Sequence, residues 1–265
     1  LENIRNFFKG MLIGIANVIP GVSGGTMAVV LNIYDKLISY ISGFFKDWKK
    51  CLAFLLPIGL GAGAGILLFS KLIKMLMTDY PIQTNFFFIG LIVGSLPLLF
   101  KKSLEQKFNP LNIIPFIITL GILIFMAYVA PPDASKVMFT ALSYKAFLYL
   151  CIGGFIGAAA MVVPGISGSF ILLLMGLYTT IINAIAEFNI PLLIPVAIGV
   201  AIGIIATTKA INTLLKRYPQ TTYFAILGLV VGSIFTIFPG FGVGITAITA
   251  IVALIVGFFT AYLLG

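Results

Sequence analysis

Pro20-Gly21-Val22-Ser23-Gly24 returns later in the chain as Pro164-Gly165-Ile166-Ser167-Gly168, and Tyr34 matches Tyr178 at the same offset. A second block repeats as well. Pro57, Gly61, Gly65, Lys71, Tyr80, Pro81, Thr84, Phe86, Gly90, Gly94 and Ser95 reappear as Pro195, Gly199, Gly203, Lys209, Tyr218, Pro219, Thr222, Phe224, Gly228, Gly232 and Ser233. Such self-similarity marks one structural unit present twice. Each copy reads as a hydrophobic segment broken by the Pro-Gly-x-Ser-Gly motif, followed by three unbroken apolar stretches. The first copy covers 1–135, with the broken segment at 10–40 and spans at 52–77, 84–100 and 111–130. The second covers 136–265, with the broken segment at 145–187 and spans at 192–215, 222–238 and 244–264. The boundary falls near 131–143, where Pro-Pro-Asp and a lysine interrupt the apolar pattern.

Composition sets the solvent. Hydrophobic residues fill 61% of 265 positions and charged residues 9%, against about 25% charged in an ordinary soluble domain. Several stretches run almost uncharged for the roughly 20 residues that a helix needs to cross about 30 Å of hydrocarbon. The expected fold is therefore an all-α integral membrane protein, a single integrated transmembrane domain of two repeats. The net charge of +9 does not indicate nucleic acid, because the basic residues form short clusters between apolar runs rather than a stripe with interleaved aromatics. With no histidine and two cysteines bordering apolar segments, neither a disulfide framework nor a metal or cofactor site is expected. Arg5 and Lys9 before an apolar stretch imitate a signal peptide, but no small-residue cleavage site follows and the stretch recurs later. The first residue is Leu rather than Met, so a trimmed or altered start is expected.

Charge also addresses topology. If each broken segment turns back inside the membrane, each half has three crossings and the halves insert in opposite directions. Arg5, Lys9, Lys36, Lys46, Lys49, Lys50, Lys101, Lys102, Lys107, Lys209, Lys216 and Arg217 then share one side, leaving Lys71, Lys74, Lys136 and Lys145 on the other. If the broken segments cross instead, this separation weakens. The positive-inside rule favours re-entrant hairpins with both termini cytoplasmic. An arm from Gly10 to Pro20 reaches about 15 Å, half the hydrocarbon thickness. Phe147 to Val163 is nearly long enough to cross, so for the second copy a hairpin and a crossing both stand.

The repeated motif is where chemistry is expected. Proline followed by glycine ends a helix, and glycines let the backbone turn tightly and approach a ligand. Broken backbone at membrane depth persists only where protein or a water-filled cavity surrounds it. Helices restarting after the breaks offer N–H groups, and Ser23, Thr26, Ser167 and Ser169 add hydroxyls. This makes an anion-binding region of Asn17, Pro20, Gly21, Ser23, Gly24, Gly25, Thr26, Pro164, Gly165, Ser167, Gly168 and Ser169. The plainer reading is that Pro-Gly only kinks two long helices whose small residues favour close packing. Matching breaks in two halves favour a transporter's binding site. Lys71 and Lys209 occupy equivalent positions and are candidates for pairing with a phosphate, or for snorkelling to the interface. Asn17 either lines the cavity or satisfies carbonyls freed by the break. Asp35, Asp79, Asp133 and Glu187 fall at expected span ends, where a solvated position is the default.

Ile13-Gly14-Ile15-Ala16-Asn17-Val18-Ile19-Pro20-Gly21-Val22-Ser23-Gly24-Gly25-Thr26-Met27-Ala28, together with Val162-Val163-Pro164-Gly165-Ile166-Ser167-Gly168-Ser169-Phe170, closely resembles the bacterial and archaeal polyprenyl-phosphate transporter family, the PopT-like proteins. The resemblance spans essentially the whole chain. It implies a flippase in the cell membrane that returns undecaprenyl phosphate, the lipid carrier of cell-wall synthesis, from the outer to the inner leaflet. Its partners would be that lipid and the surrounding membrane lipids, with a homo-oligomer possible. Many members carry Asp where this chain has Asn17, which puts a coupling role for that acid in question here. A transporter or channel for a small soluble anion is the alternative. A membrane phosphatase or transferase is disfavoured, because the usual histidine and paired acidic residues are missing.

Overall fold

Tyr80 is the single residue separating two long helices, and Tyr218 repeats the arrangement with nearly the same backbone angles, φ −134° and ψ 52° against φ −134° and ψ 58°. Pro81 and Pro219 follow at the first helical position, where the missing N–H would have had no helical partner anyway. The computed structural model describes residues 2–19, 22–105, 108–128, 139 and 142–264. Most of the expected boundary at 131–143 lies outside the described residues, as do Pro20, Gly21 and Asp133.

All regular structure among the described residues is helical. Helix α1 covers Glu2–Asn17, α2 Gly24–Val30, α3 Tyr34–Ser42, α4 Trp48–Asp79, α5 Pro81–Ser103 and α6 Ile113–Tyr128. Then come α7 Tyr144–Val162, α8 Gly168–Leu174, α9 Tyr178–Ala186, α10 Ile190–Arg217, α11 Pro219–Ile237 and α12 Ile245–Leu264. The broken segments are each an arm of a longer helix followed by two short helices. Helices α8 and α9 meet at 115°. The first arm begins at Glu2, well before the expected Gly10. Its opening turns carry the polar residues Glu2, Asn6 and Lys9.

Among the described residues, seven helices are long and apolar enough to cross a membrane, namely α4, α5, α6 with the short turn before it, α7, α10, α11 and α12. Burial sorts them into two layers. The most apolar windows of α5 and α11 are 56% and 61% buried, whereas those of α4, α6, α10 and α12 are 11% to 22% buried. Leu67, Phe125, Ile202 and Ile248 on the outer helices point outward. Exposed apolar surface on this scale requires hydrocarbon as its solvent, so the protein is a multi-pass membrane protein.

Four intimate helix pairs hold the bundle: α1 on α4, α7 on α10, α5 on α12, and α11 on α6. Each is built on glycines four residues apart. A Cβ on Gly10 or Gly14 would collide with the carbonyls of Ile58 or Ala62, and one on Gly61 or Gly65 with those of Phe7 or Met11. The α7–α10 pair uses Gly154 against Val196, Gly199 against Cys151 and Gly203 against Phe155. In the other two pairs, Gly90 meets Leu254 while Gly228 meets Phe116, and Gly257 meets Phe87 while Thr119 Oγ1 donates to the Ala225 carbonyl at 2.9 Å. In lipid the hydrophobic effect does not drive helices together, so close backbone approach and the dispersion it permits carry this packing. Within all four pairs residue numbers rise together, so partner helices run parallel.

Candidate functional site

Ser23 precedes α2 with an extended backbone, and its hydroxyl accepts from the Thr26 amide at 3.1 Å. This is a helix N-cap, which satisfies one of the amides left over at a helix start. The two hydroxyls lie 3.2 Å apart, and Thr26 Oγ1 accepts from the Gly165 amide at 2.7 Å. The first break is thereby joined to the second across 139 residues of chain. Gly25 lies against the same break, since a Cβ there would stand 3.2 Å from the Met161 and Val162 carbonyls and 3.4 Å from Pro164 Cα. Tyr34 adds a third tie, its hydroxyl donating to the Val162 carbonyl at 3.1 Å. Ser23 and Thr26 are buried.

Gly165 has φ +84°, a conformation that L side chains rarely adopt, and a Cβ there would meet the Leu229 carbonyl at 2.5 Å. Glycine is therefore required at this corner by backbone angle and by space. Gly24 is open for a different reason: a Cβ would stand 2.8 Å from Asn17 Oδ1, so the Asn17 amide occupies that place. Asn17 is otherwise exposed.

The second break is built more loosely. Ser167 precedes α8 without capping it, and its hydroxyl pairs instead with that of Ser169 at 2.8 Å, with Ser169 exposed. Gly168 and Pro164 are buried. Proton counting applies to both breaks. A hydroxyl brings one proton, and each pair, Ser23 with Thr26 and Ser167 with Ser169, shares one between its members. One hydroxyl proton per break is therefore not used within the pair. With only seven residues each, α2 and α8 have little axial dipole, so hydroxyls and backbone amides are the polar groups that the breaks offer.

Lys71 and Lys209 lie on exposed faces of α4 and α10, and neither makes a hydrogen bond or ion pair among the described residues. Carrying the parallel registers forward sets Asn17 near the level of Leu68 and Val162 near that of Thr208. Both lysines therefore stand within about one turn of the depth of the breaks, but face outward. Asp35 departs from the solvated default: its Oδ2 accepts from Lys102 Nζ at 2.7 Å and from the Tyr223 hydroxyl at 2.8 Å, joining α3 to α5 and α11. Nothing in local sequence pattern points to this trio. Tyr34, in contrast, was visible as half of a repeated tyrosine pair. An apolar cavity of about 450 Å³ flanks the first break, lined by Leu12, Ile15, Met27 and Val30 together with residues of α4, α5 and α12.

Residues 13–253 match the family model described as undecaprenyl phosphate translocase-like. The chain belongs to this family. Among relatives of this family member, a polyprenyl-phosphate transporter of Staphylococcus aureus is 36% identical over 98% of this chain and 95% of its own length. A polyprenyl-phosphate transporter of Vibrio cholerae is 32% identical over 90% of this chain and 79% of its own. Family and relatives are transporters rather than enzymes. No solved structure matches the chain.

Thr26→Val tests the join between the breaks. Valine keeps the shape but leaves the Gly165 amide buried without an acceptor, at a cost of about 1–3 kcal/mol. A lowered thermal unfolding midpoint in detergent is expected, and an unchanged midpoint would mean that the 2.7 Å contact carries no stability.

Proposed function

We propose that the chain carries a polyprenyl phosphate, undecaprenyl phosphate or a close analogue, from the outer to the inner leaflet of a cell membrane. The observation that carries this reading is the meeting of the two breaks at Thr26 and Gly165. A polyprenyl tail stays in hydrocarbon throughout, so only the phosphate needs help, and an unsolvated ion in lipid is prohibitively costly. Paired hydroxyls with unshared protons, set among amides at membrane depth, lower that cost. The apolar cavity beside Met27 and Val30 offers the tail a place next to the headgroup.

The halves are inverted in this proposal, with each broken segment a re-entrant hairpin. Parallel packing supports it. Since α1 runs alongside α4 from a common end, the chain from α1 to the start of α4 must return to the face where it began. The same reasoning applied to α7 and α10 favours a hairpin in the second copy. Alternation of the crossings then sets α4 against α10 and α5 against α11 in direction, and puts both termini on the face richer in lysine and arginine, the cytoplasmic one. Further support comes from matched contacts: Gly10 on Ile58 corresponds to Gly154 on Val196, and Gly90 on Leu254 to Gly228 on Phe116.

Purified protein in liposomes is expected to move labelled undecaprenyl phosphate between leaflets. Ser23→Ala with Ser167→Ala, which removes one hydroxyl from each pair, is expected to slow it about tenfold or more, the effect of one or two lost hydrogen bonds to a charged group. Absence of movement together with absence of binding would sink the proposal, and displacement of the lipid by inorganic phosphate or a carboxylate at equal concentration would favour the soluble-anion alternative.

A further inference from the structure

Arg5, Lys9, Lys36 and Lys102 come from three different helices and converge on one cavity of about 670 Å³, within the usual range for small-ligand sites. Glu2 and Asp35 are the acidic residues in its wall. Two of the four cations are engaged: Lys9 Nζ donates to the Leu31 carbonyl at 2.6 Å, and Lys102 is paired with Asp35. Arg5 and Lys36 make no hydrogen bond or ion pair among the described residues. Four cations against two carboxylates repel one another across a concave, partly desolvated surface, and an anion placed between them removes that repulsion.

Topology alone does not account for this arrangement. The positive-inside rule counts lysines and arginines near span ends and is indifferent to whether they face a common space. Nor does the repeat require it, for the matching positions in the second copy are Tyr149, Gly153, Thr180 and Gly240, none of them charged.

We propose that this cavity is a second anion site, for a phosphate monoester, on the membrane face where the N-terminus lies. It rests on the transport reading above and deepens it: the site holds the phosphate on that face before or after its passage between the breaks. Arg5 and Lys36 supply the primary charge. Lys102 is shared, because an arriving phosphate competes with Asp35 for its ammonium and loosens the tie that holds α3 against α5 and α11. The second copy does not repeat these charges, so in this proposal the two faces differ in how strongly they retain the headgroup. A resident site of this kind changes occupancy and rates, not the equilibrium between leaflets.

Calorimetric titration of the purified full chain with farnesyl phosphate, a short and soluble polyprenyl phosphate, tests this. Arg5→Gln with Lys36→Gln is expected to weaken one binding event at least about tenfold, the scale of losing charged hydrogen bonds, and to flatten its salt dependence. The thermal midpoint should hold, both side chains being on the surface. Restoring the charges as Arg5→Lys with Lys36→Arg should return most of the affinity. Competition by inorganic phosphate at this event would assign the site to free phosphate, and its absence to a lipid headgroup; either result supports a phosphate site. Unchanged affinity and salt dependence in the glutamine variant would overturn it. Ser23→Ala with Thr26→Val separates the two readings: if those changes leave binding and transport intact while the glutamine variant does not, the cavity stands and the transport route between the breaks falls.

Discussion

Gly61→Leu and Gly199→Leu are each expected to abolish the folded protein, whereas Gly59→Leu and Gly63→Leu on the same helix as Gly61 are expected to leave it intact. A side chain at 61 meets the Phe7 carbonyl and one at 199 the Cys151 carbonyl, and backbone cannot rotate away as a flexible side chain can. The arm would have to lift off its partner helix along its length. Overpacking in a well-filled core costs about 1–3 kcal/mol, and a clash with backbone exceeds the upper end of that range. Gly59 and Gly63 have nothing within 4 Å of a Cβ, so leucine there enters lipid and gains helix propensity. Size-exclusion profiles and thermal melts in detergent read the difference. Folded Gly61→Leu protein with a near-normal midpoint would refute the claim that close backbone approach seats the first hairpin.

These glycines show what was legible beforehand. The recurrence of Gly61 and Gly65 as Gly199 and Gly203 is visible in one dimension, because helix packing in lipid selects small residues at a fixed spacing. The long apolar runs were equally plain, and α4, α5, α10 and α11 extend only a few residues beyond the expected limits. Less accessible was anything that depends on which distant residues meet. Ser23, Thr26 and Gly165 were candidates by type, yet no local pattern tells that the Thr26 hydroxyl receives the Gly165 amide. Lys71 and Lys209 occupy matched positions in the repeat, and helical phase turns both outward. Asp35 looked like a solvated span end until α5 and α11 brought Lys102 and Tyr223 to it. Arg5, Lys9, Lys36 and Lys102 carry only a topology signal in the sequence, because their convergence is a property of the fold, not of spacing.

Where sequence repeats and packing does not, the difference carries mechanism. Helix α2 is buried along Thr26 to Val30, whereas in α8 only Gly168 is buried. Helix α3 packs on α10, with Asn212 Nδ2 donating to Ser42 Oγ at 2.7 Å, while α9 makes no comparable contact with α4 among the described residues. Two copies of one unit in unlike environments are what a transporter with two alternating states presents in either state. If the proposed halves alternate in this way, the other state would pack α9 on α4 and free α3 from α10. Cysteines at 42 and 212, joined by a short bifunctional thiol reagent in a background lacking Cys51 and Cys151, would hold the α3–α10 contact closed. Transport by the joined protein should fall to background, and the same variant left unjoined should run near the parental rate, because a single neutral, part-buried hydrogen bond is worth only about 1 kcal/mol. A cleavable reagent should restore transport on reduction, which separates restraint from damage. Undiminished transport with the two helices joined would mean that α3 stays on α10 throughout the cycle, and that the unequal packing of the hairpins is a fixed property of each copy.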